Sequence, residues 1–295
     1  ASRGLGDVYK RQLLFMLLLC SFYCVSCSDD VKTDVKEKTE VEVNYVKLNE
    51  ALNLYSQDFA ATHATSTSTR GFWKWFRTVL ACDATGALLG SSLGGGGALI
   101  GGAIFSALGA SCAYVVPRPE LPNEVAFVRD IPCLMEQEDS IGFSHNAILL
   151  EIAEENEGIF DQNLTAEEWT NLIVPKAEKY GYSLSASDED AIMNNVKTMP
   201  LTSELMQSDE QLISYYKAKA PEYAQQLDVI HSYVSTASLI TNEDDLKEYT
   251  QGCVQIISDA QLPLTERKAL VSSVVVAESS AILWIEPEEV VSLKP

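Results

Sequence analysis

Basic residues are scarce in this sequence, and their scarcity argues against nucleic acid as a partner. Lysine and arginine together number 21, against 42 aspartates and glutamates, so the formal net charge at pH 7 is −21. Binding to nucleic acid needs a basic surface that neutralises phosphates. Anionic lipid headgroups also repel an acidic chain, so an attachment to a membrane must be hydrophobic or covalent.

Residues that commonly bind metals or carry catalysis are also few. The histidines are His63, His145 and His231, and the chain after residue 27 contains no HExxH motif and no CxxC pair. His231 lies among apolar residues in a predicted helix, which favours a place in the core over a role as a ligand. We therefore predict no catalytic residue, no metal and no cofactor.

A short apolar segment near the N-terminus predicts export. Residues 13–23 (LLFMLLLCSFY) are too few for a spanning helix, which needs ~20 residues, but they suit a signal peptide. Ser26 and Cys27 come shortly afterwards, and the acidic residues Asp29 and Asp30 follow Ser28. This pattern resembles the acylation site of bacterial lipoproteins and the surface-export signal of lipoproteins in the Bacteroidota. The resemblance implies a lipid on Cys27 and a location at the outer membrane or cell surface; an ordinary secretory signal is the alternative.

The chain divides into four predicted regions. The second region is rich in charge and predicts a solvated tether, and three prolines in six residues separate the third region from the fourth. The regions are a signal peptide over 1–27, in which 1–12 resemble translated sequencing adaptor, a tether with a short helix over 28–64, a helical hairpin over 65–118 and a helical domain over 119–295.

Small residues recur at helical spacing in the third region, where residues 84–117 carry no charge. Positions four apart share one face of a helix, and a stripe of small side chains lets two helices approach closely. We predict two antiparallel helices, over 72–93 and 98–115, with the reversal at the four glycines of 94–97. The residues predicted to form the packing faces are Gly86, Gly90, Gly94, Gly97, Gly101, Gly102, Ser106 and Ala110.

This block resembles the glycine-zipper two-helix segments of outer-membrane lipoproteins, and the resemblance implies contact with a membrane. Trp73 and Trp75, beside basic residues, suit a membrane interface. Asp83 argues against insertion, because a carboxylate at bilayer depth costs ~2.5 to 3.5 kcal/mol. Two interpretations therefore stay open: a hairpin buried in a helical core with Asp83 at its surface, and a hairpin that enters the membrane.

The cysteines suggest a cross-link between the two helices. Cys82 and Cys112 are symmetric about residue 97, so we expect them at similar heights on the hairpin, where they could form a disulfide. Cys133 and Cys253 would then be a second pair. Free buried thiols are the alternative for both pairs.

The remainder of the chain predicts further helices and no strands, so the predicted fold class is all-α: a helical bundle with the hairpin near its N-terminus. The helix starts are marked by residues that commonly cap or begin helices. These residues are Thr165 with Glu168, Ser208 with Gln211, Pro221, Thr241 with Asp244, and Thr265.

One short motif in the fourth region is a candidate polar site. It reads D-x-x-G-x-x-H-N over residues 139–146, and its members are Asp139, Gly142, Ser144, His145 and Asn146. With VVVAESSAILW at residues 274–284, it resembles a recurrent pattern of exported proteins from the Bacteroidota. We expect a structural role, in which Gly142 forms a turn and Ser144 caps the following helix. A binding or hydrolytic role for His145 is the alternative.

The leading hypothesis is therefore a non-catalytic, lipid-anchored protein whose hairpin serves helix packing, self-association or membrane contact. Its expected partners are a membrane, through the lipid and in one interpretation the hairpin, and a second copy of the chain. Two alternatives remain: a secreted membrane-active toxin that inserts the hairpin, and a hydrolase that uses residues near His145.

Overall fold

The computed structural model describes residues 27–63, 70–112, 136–202 and 204–284, with side chains from residues 40, 75 and 140 onward in the first three segments. The signal peptide, the prolines of 117–122, Trp73 and Cys133 lie outside the described residues or side chains. The described part is helical and contains no strand, which confirms the all-α prediction.

Helices make up most of the described chain. They are α1 Cys27–His63, α2 Arg70–Gly90, α3 Gly94–Ser111, α4 Glu136–Glu155, α5 Ala166–Lys179, α6 Ala186–Thr198, α7 Asp209–Lys219, α8 Ala224–Ala237, α9 Glu243–Asp259 and α10 Leu264–Trp284.

The chain divides into two compact units, residues 1–46 and residues 47–295, with the boundary inside α1. The hairpin and the helices after it therefore belong to one unit, where the sequence suggested two regions. The segment predicted as a tether is instead helical from Cys27 to His63. Its sequence places Asp34 four residues before Lys38, a spacing that stabilises a helix.

Helices α2 and α3 form the centre of the second unit. Helix α10 packs along α2 and also contacts α3. Helices α4 and α5 lie against α3, whereas α7 and α8 lie against α2. Buried side chains of both central helices, among them Phe76, Leu88, Leu99 and Phe105, are almost completely enclosed. The hairpin is thus the core around which the other helices are arranged.

The reversal between α2 and α3 begins before the four glycines and ends at the first of them, Gly94. A short 3₁₀ helix, Ser91–Leu93, connects the two helices, and Gly94 alone has the positive φ, +80°, that favours glycine at a turn. Gly95, Gly96 and Gly97 lie in the first turns of α3. The predicted hairpin bounds, 72–93 and 98–115, were two to four residues late.

The capping signals locate several helix starts. Thr165 and Glu168 form the predicted capping box at the start of α5, with Thr165 N donating to Glu168 Oε2 at 2.7 Å. Ser208 accepts a hydrogen bond from Gln211 N at the start of α7. At α9 the capping residue is Asn242, one residue after the predicted Thr241.

Candidate functional site

Glycines bring the backbones of α2 and α3 into contact. A Cβ atom added to Gly86 would meet the carbonyl oxygen of Gly101, and one added to Gly90 would meet that of Gly97. A side chain at either position would therefore push the helices apart. Gly102 faces α10 instead, where an added Cβ would lie 3.0 Å from Val276 Cγ1.

Three further positions of the predicted packing faces have different surroundings. Ala110 is buried near the end of α3, whereas Gly94 has open space around it and serves the reversal. Ser106 is also buried, but it acts as a polar residue: its hydroxyl donates to Asp83 Oδ2 at 2.8 Å. Only part of the small-residue pattern therefore serves contact between helix backbones.

Asp83 lies at the centre of a buried polar cluster, not at the surface of the core. Its carboxyl group is fully buried, and Oδ2 accepts hydrogen bonds from Ser106 on α3 and from Ser280 on α10. The indole Nε1 of Trp284 donates to Ser106 Oγ at 3.1 Å. The cluster connects α2, α3 and α10, so it fixes the last helix against the hairpin.

Burial dominates the electrostatics of this cluster. Desolvation raises the pKa of Asp83 to about 8, and the hydrogen bonds from Ser280 and Ser106 offset only part of that shift. Asp83 therefore binds a proton in the folded protein at pH values where the unfolded chain would be ionised. A carboxyl group in this state can donate a hydrogen bond as well as accept one.

The motif of residues 139–146 lies inside α4, which begins at Glu136, so Gly142 forms no turn and Ser144 caps no helix. Both residues are buried in the middle of the helix. Gly142 instead lets α4 approach α10: an added Cβ would meet Ser279 Oγ and would lie 3.0 Å from the Val275 carbonyl oxygen. The expected turn and cap are therefore wrong, and Gly142 serves contact between two helices.

His145 and Asn146 extend this contact between α4 and α10. Asn146 Nδ2 donates to the Ser279 carbonyl oxygen at 2.8 Å, and Asn146 Oδ1 lies 2.9 Å from His145 Nδ1. His145 is fully enclosed, and desolvation lowers its pKa to about 4, although Asn146 and the Gly102 backbone favour the protonated ring. The imidazole is thus a neutral core residue.

The two motifs singled out in the sequence therefore meet in space. Residues of the segment 274–284 contact Gly142, Asn146, Gly102 and Asp83. Asp139 lies in α4, but its side chain is outside the described part. The arrangement has the properties of a polar packing interface: Asp83, Ser106, Asn146 and Ser280 are buried and form hydrogen bonds between helices.

The cysteines do not form the predicted cross-link: Cys82 and Cys112 are both free thiols. Cys82 is enclosed beside Gly109, whereas Cys112 follows the end of α3 and is exposed. The pairs Gly86–Gly101 and Gly90–Gly97 face each other, so the level of Cys82 is near residue 105 and Cys112 lies roughly two helical turns beyond it. Cys253 is free and buried, and its predicted partner Cys133 lies outside the described residues.

A second polar cluster, which the sequence did not predict, lies at the start of α7. His231 Nε2 on α8 is 3.3 Å from Asp209 Oδ2, and Arg77 Nη1 on α2 is 3.7 Å from the same oxygen. Potential ligand atoms of Asp209, Glu210 and His231 all lie within 4.8 Å of one another. No sequence motif indicates this group, because its members come from two helices and Arg77 from a third.

The electrostatics of the second cluster follow from this contact. Burial alone would raise the pKa of Asp209, but the neighbouring His231 ring and the Arg77 charge lower it below the ordinary value. Contact with Asp209 raises the pKa of His231. His231 also lines an open groove of about 330 Å³ with Ser56 and Gln57 of α1 and Ser232 and Ser235 of α8.

Comparisons identify no relative: no family model, curated protein or solved structure matches this chain. Within the described residues, one segment, Trp75–Ser111, is long and apolar enough to cross a membrane by length and composition. Of that window, 72% is buried inside the protein, as the core helices of soluble proteins also are.

Proposed function

We propose that this chain is a non-catalytic, exported, lipid-anchored protein in which the α2–α3 hairpin is the packing core of a helical domain. The observation that carries the proposal is the enclosure of the hairpin on both sides by α4, α5, α7, α8 and α10. Enclosed apolar helices gain their stabilisation from burial within the domain. They need neither a membrane nor a second copy.

The glycine contacts support packing over self-association. Gly86 and Gly90 face Gly101 and Gly97 of the same chain, so these close-approach surfaces are already occupied. A second copy could use them only if the hairpin opened. The same argument disfavours a membrane-active toxin, because α10 is bonded to the hairpin through Ser280.

The enclosure of His145 supports a non-catalytic role for the motif of residues 139–146. A general base must come within hydrogen-bond reach of a substrate, and His145 is 0% exposed with Asn146 at its Nδ1 atom. His145 and Asn146 therefore serve the contact between α4 and α10.

Vesicle leakage separates the packing proposal from the toxin alternative. Purified protein with Cys27→Ser, which removes the site of the lipid, should release no trapped dye from vesicles of neutral or anionic lipid. Release that disappears in Gly90→Leu and Gly101→Leu variants would contradict the proposal and support hairpin insertion.

Detergent partitioning tests the anchor separately. Wild-type protein made in an exporting bacterial host should enter the detergent phase, and the Cys27→Ser variant should stay in the aqueous phase. Equal partitioning of the two proteins would contradict lipidation at Cys27, and it would leave the packing proposal to the leakage test.

A further inference from the structure

The second polar cluster combines three donor groups in an arrangement suited to a metal ion. Asp209 and Glu210 are consecutive at the first turn of α7, and His231 reaches them from α8. A neutral imidazole and two carboxylates form a donor set that proteins use for zinc and other first-row transition ions.

Asp209 points a buried oxygen into this cluster without a hydrogen bond. Its side chain is 4% exposed, and among the described residues no group donates a hydrogen bond to Oδ2. His231 Nε2 is likewise buried and without a hydrogen bond, although the two atoms are only 3.3 Å apart. Asp209 Oδ2 is instead within ion-pair distance of both His231 Nε2 and Arg77 Nη1.

The distance of 3.3 Å between Asp209 Oδ2 and His231 Nε2 suits two ligands of one metal ion. Tetrahedral zinc with bonds of about 2.0 to 2.1 Å places neighbouring ligand atoms roughly 3.3 Å apart. Glu210, whose carboxylate lies within 4.8 Å of both atoms, is exposed. An ion could therefore enter from solvent and keep a water molecule in its fourth position.

Arg77 fits this arrangement as a residue that orients a ligand. Its Nη1 atom lies 3.7 Å from Asp209 Oδ2, beyond direct hydrogen-bond distance. Charged or hydrogen-bonding groups behind a ligating carboxylate commonly fix its orientation. The positive charge of Arg77 repels a cation, but the two negative carboxylates outweigh it.

We propose that Asp209, Glu210 and His231 bind one divalent transition-metal ion, with Zn²⁺ as the chemical type. The ion would tie the start of α7 to α8 beside the groove that His231 lines. This inference is independent of the proposed packing function, and it assigns no reaction to the ion.

Zn²⁺ titration by calorimetry, after treatment of the purified protein with a chelator, tests the proposal. Wild-type protein should bind one Zn²⁺ per chain at this site, and its melting temperature should rise with Zn²⁺ concentration. His231→Ala and Glu210→Gln each remove a proposed ligand and should weaken binding by at least ~10-fold, since losing even a residue that supports a ligand commonly costs that much. Bound Co²⁺ should show visible d–d absorption that His231→Ala removes.

The matched control is His63→Ala, which removes a histidine at the end of α1 and should leave affinity unchanged. Glu210→Gln keeps the proposal testable if His231→Ala fails to fold, because Glu210 is exposed. Absence of Zn²⁺ binding in the wild type would overturn the proposal. Equal affinities of wild type and Glu210→Gln would also overturn it.

Discussion

Asp83 is an ionisable residue in a position where ionisation is unfavourable. Its folded pKa of about 8 exceeds the ordinary value of 3.8, so the folded protein binds a proton that the unfolded chain has lost at neutral pH. Stability is therefore greatest below the ordinary pKa and falls as pH rises toward 8. The hydrogen bonds to Ser106 and Ser280 are the local compensation for this cost.

Replacing Asp83 with asparagine should stabilise the folded protein at neutral pH. Asparagine keeps the shape and both kinds of hydrogen-bonding group without an ionisation cost, and we expect a gain of about 2 to 4 kcal/mol at pH 8 that shrinks toward pH 4. Urea unfolding from pH 4 to 8 measures this difference. Asp190→Asn, at an exposed position of α6, is the control; a destabilised Asp83→Asn variant at pH 8 would contradict the interpretation.

His145 should stay neutral to lower pH than an ordinary histidine. Its folded pKa of about 4 lies below the ordinary value of 6.5, so its contribution to stability is complete above pH 6.5 and is lost as pH falls toward 4. NMR of the imidazole carbons should show a neutral ring at pH 5 in the folded protein. A protonated ring at pH 5 with the fold intact would refute its enclosure.

Sequence reasoning could not locate these residue-scale contacts. Asp83 was recognised as an exception beside a charge-free segment, but Ser280 is 197 residues away and no local pattern connects them. Likewise, Asp209 and His231 belong to different helices, so their proximity depends on packing that spacing alone does not encode. The sequence around His231 therefore predicts only an ordinary core residue.

The stability of the folded protein is predicted to depend on glycine at some positions of the hairpin and not at others. Gly90→Ala should destabilise the protein by about 2 kcal/mol or more, because its Cβ would meet the Gly97 carbonyl. Helix propensity alone predicts the opposite, a gain of about 1 kcal/mol. Chemical unfolding of the Gly90→Ala variant measures whether its stability falls or rises.

Gly109→Ala is the matched control in the same hairpin. Its added Cβ would find only ordinary contacts, the nearest being Met206 Cε at 3.5 Å. We expect this variant to be neutral or stabilised. Equal effects of the two substitutions would contradict a specific contact between the backbones at Gly90.

A similar prediction on stability concerns Gly142, at the contact between α4 and α10. Gly142→Ala should destabilise the protein, and Ser279→Ala should recover part of the loss, because Ser279 Oγ is the atom nearest the added Cβ. A double-mutant cycle measures the coupling. Additive effects of the two substitutions would argue against this contact.

At the scale of elements, local signals located faces and caps better than boundaries. The four-residue spacing singled out Gly86 and Gly90, and the Thr165 box marked the start of α5. The turn was misplaced because four consecutive glycines can continue a helix when its neighbours enclose it, and only Gly94 took a positive φ. The predicted disulfide between Cys82 and Cys112 was wrong for the same reason, because it assumed a turn at residue 97.

For the whole molecule, the hairpin and the helices after residue 136 act as one unit. The sequence predicted an all-helical protein, but it could not decide whether the apolar hairpin lies in lipid or in protein, because both environments favour the same small and apolar residues. Burial by the surrounding helices supports the second environment. The proposed lipid on Cys27 would then be the attachment to the membrane.

Thiol labelling of Cys82 in the presence of lipid vesicles tests the central claim most directly. In a variant that retains Cys82 as its single cysteine, labelling should stay as slow with vesicles as without them and should speed up only on unfolding. A matched variant with Cys112 alone should label rapidly in both conditions, because Cys112 is exposed. Changed labelling of Cys82 when vesicles are added, with the fold retained, would show that the hairpin leaves the core and would contradict the account.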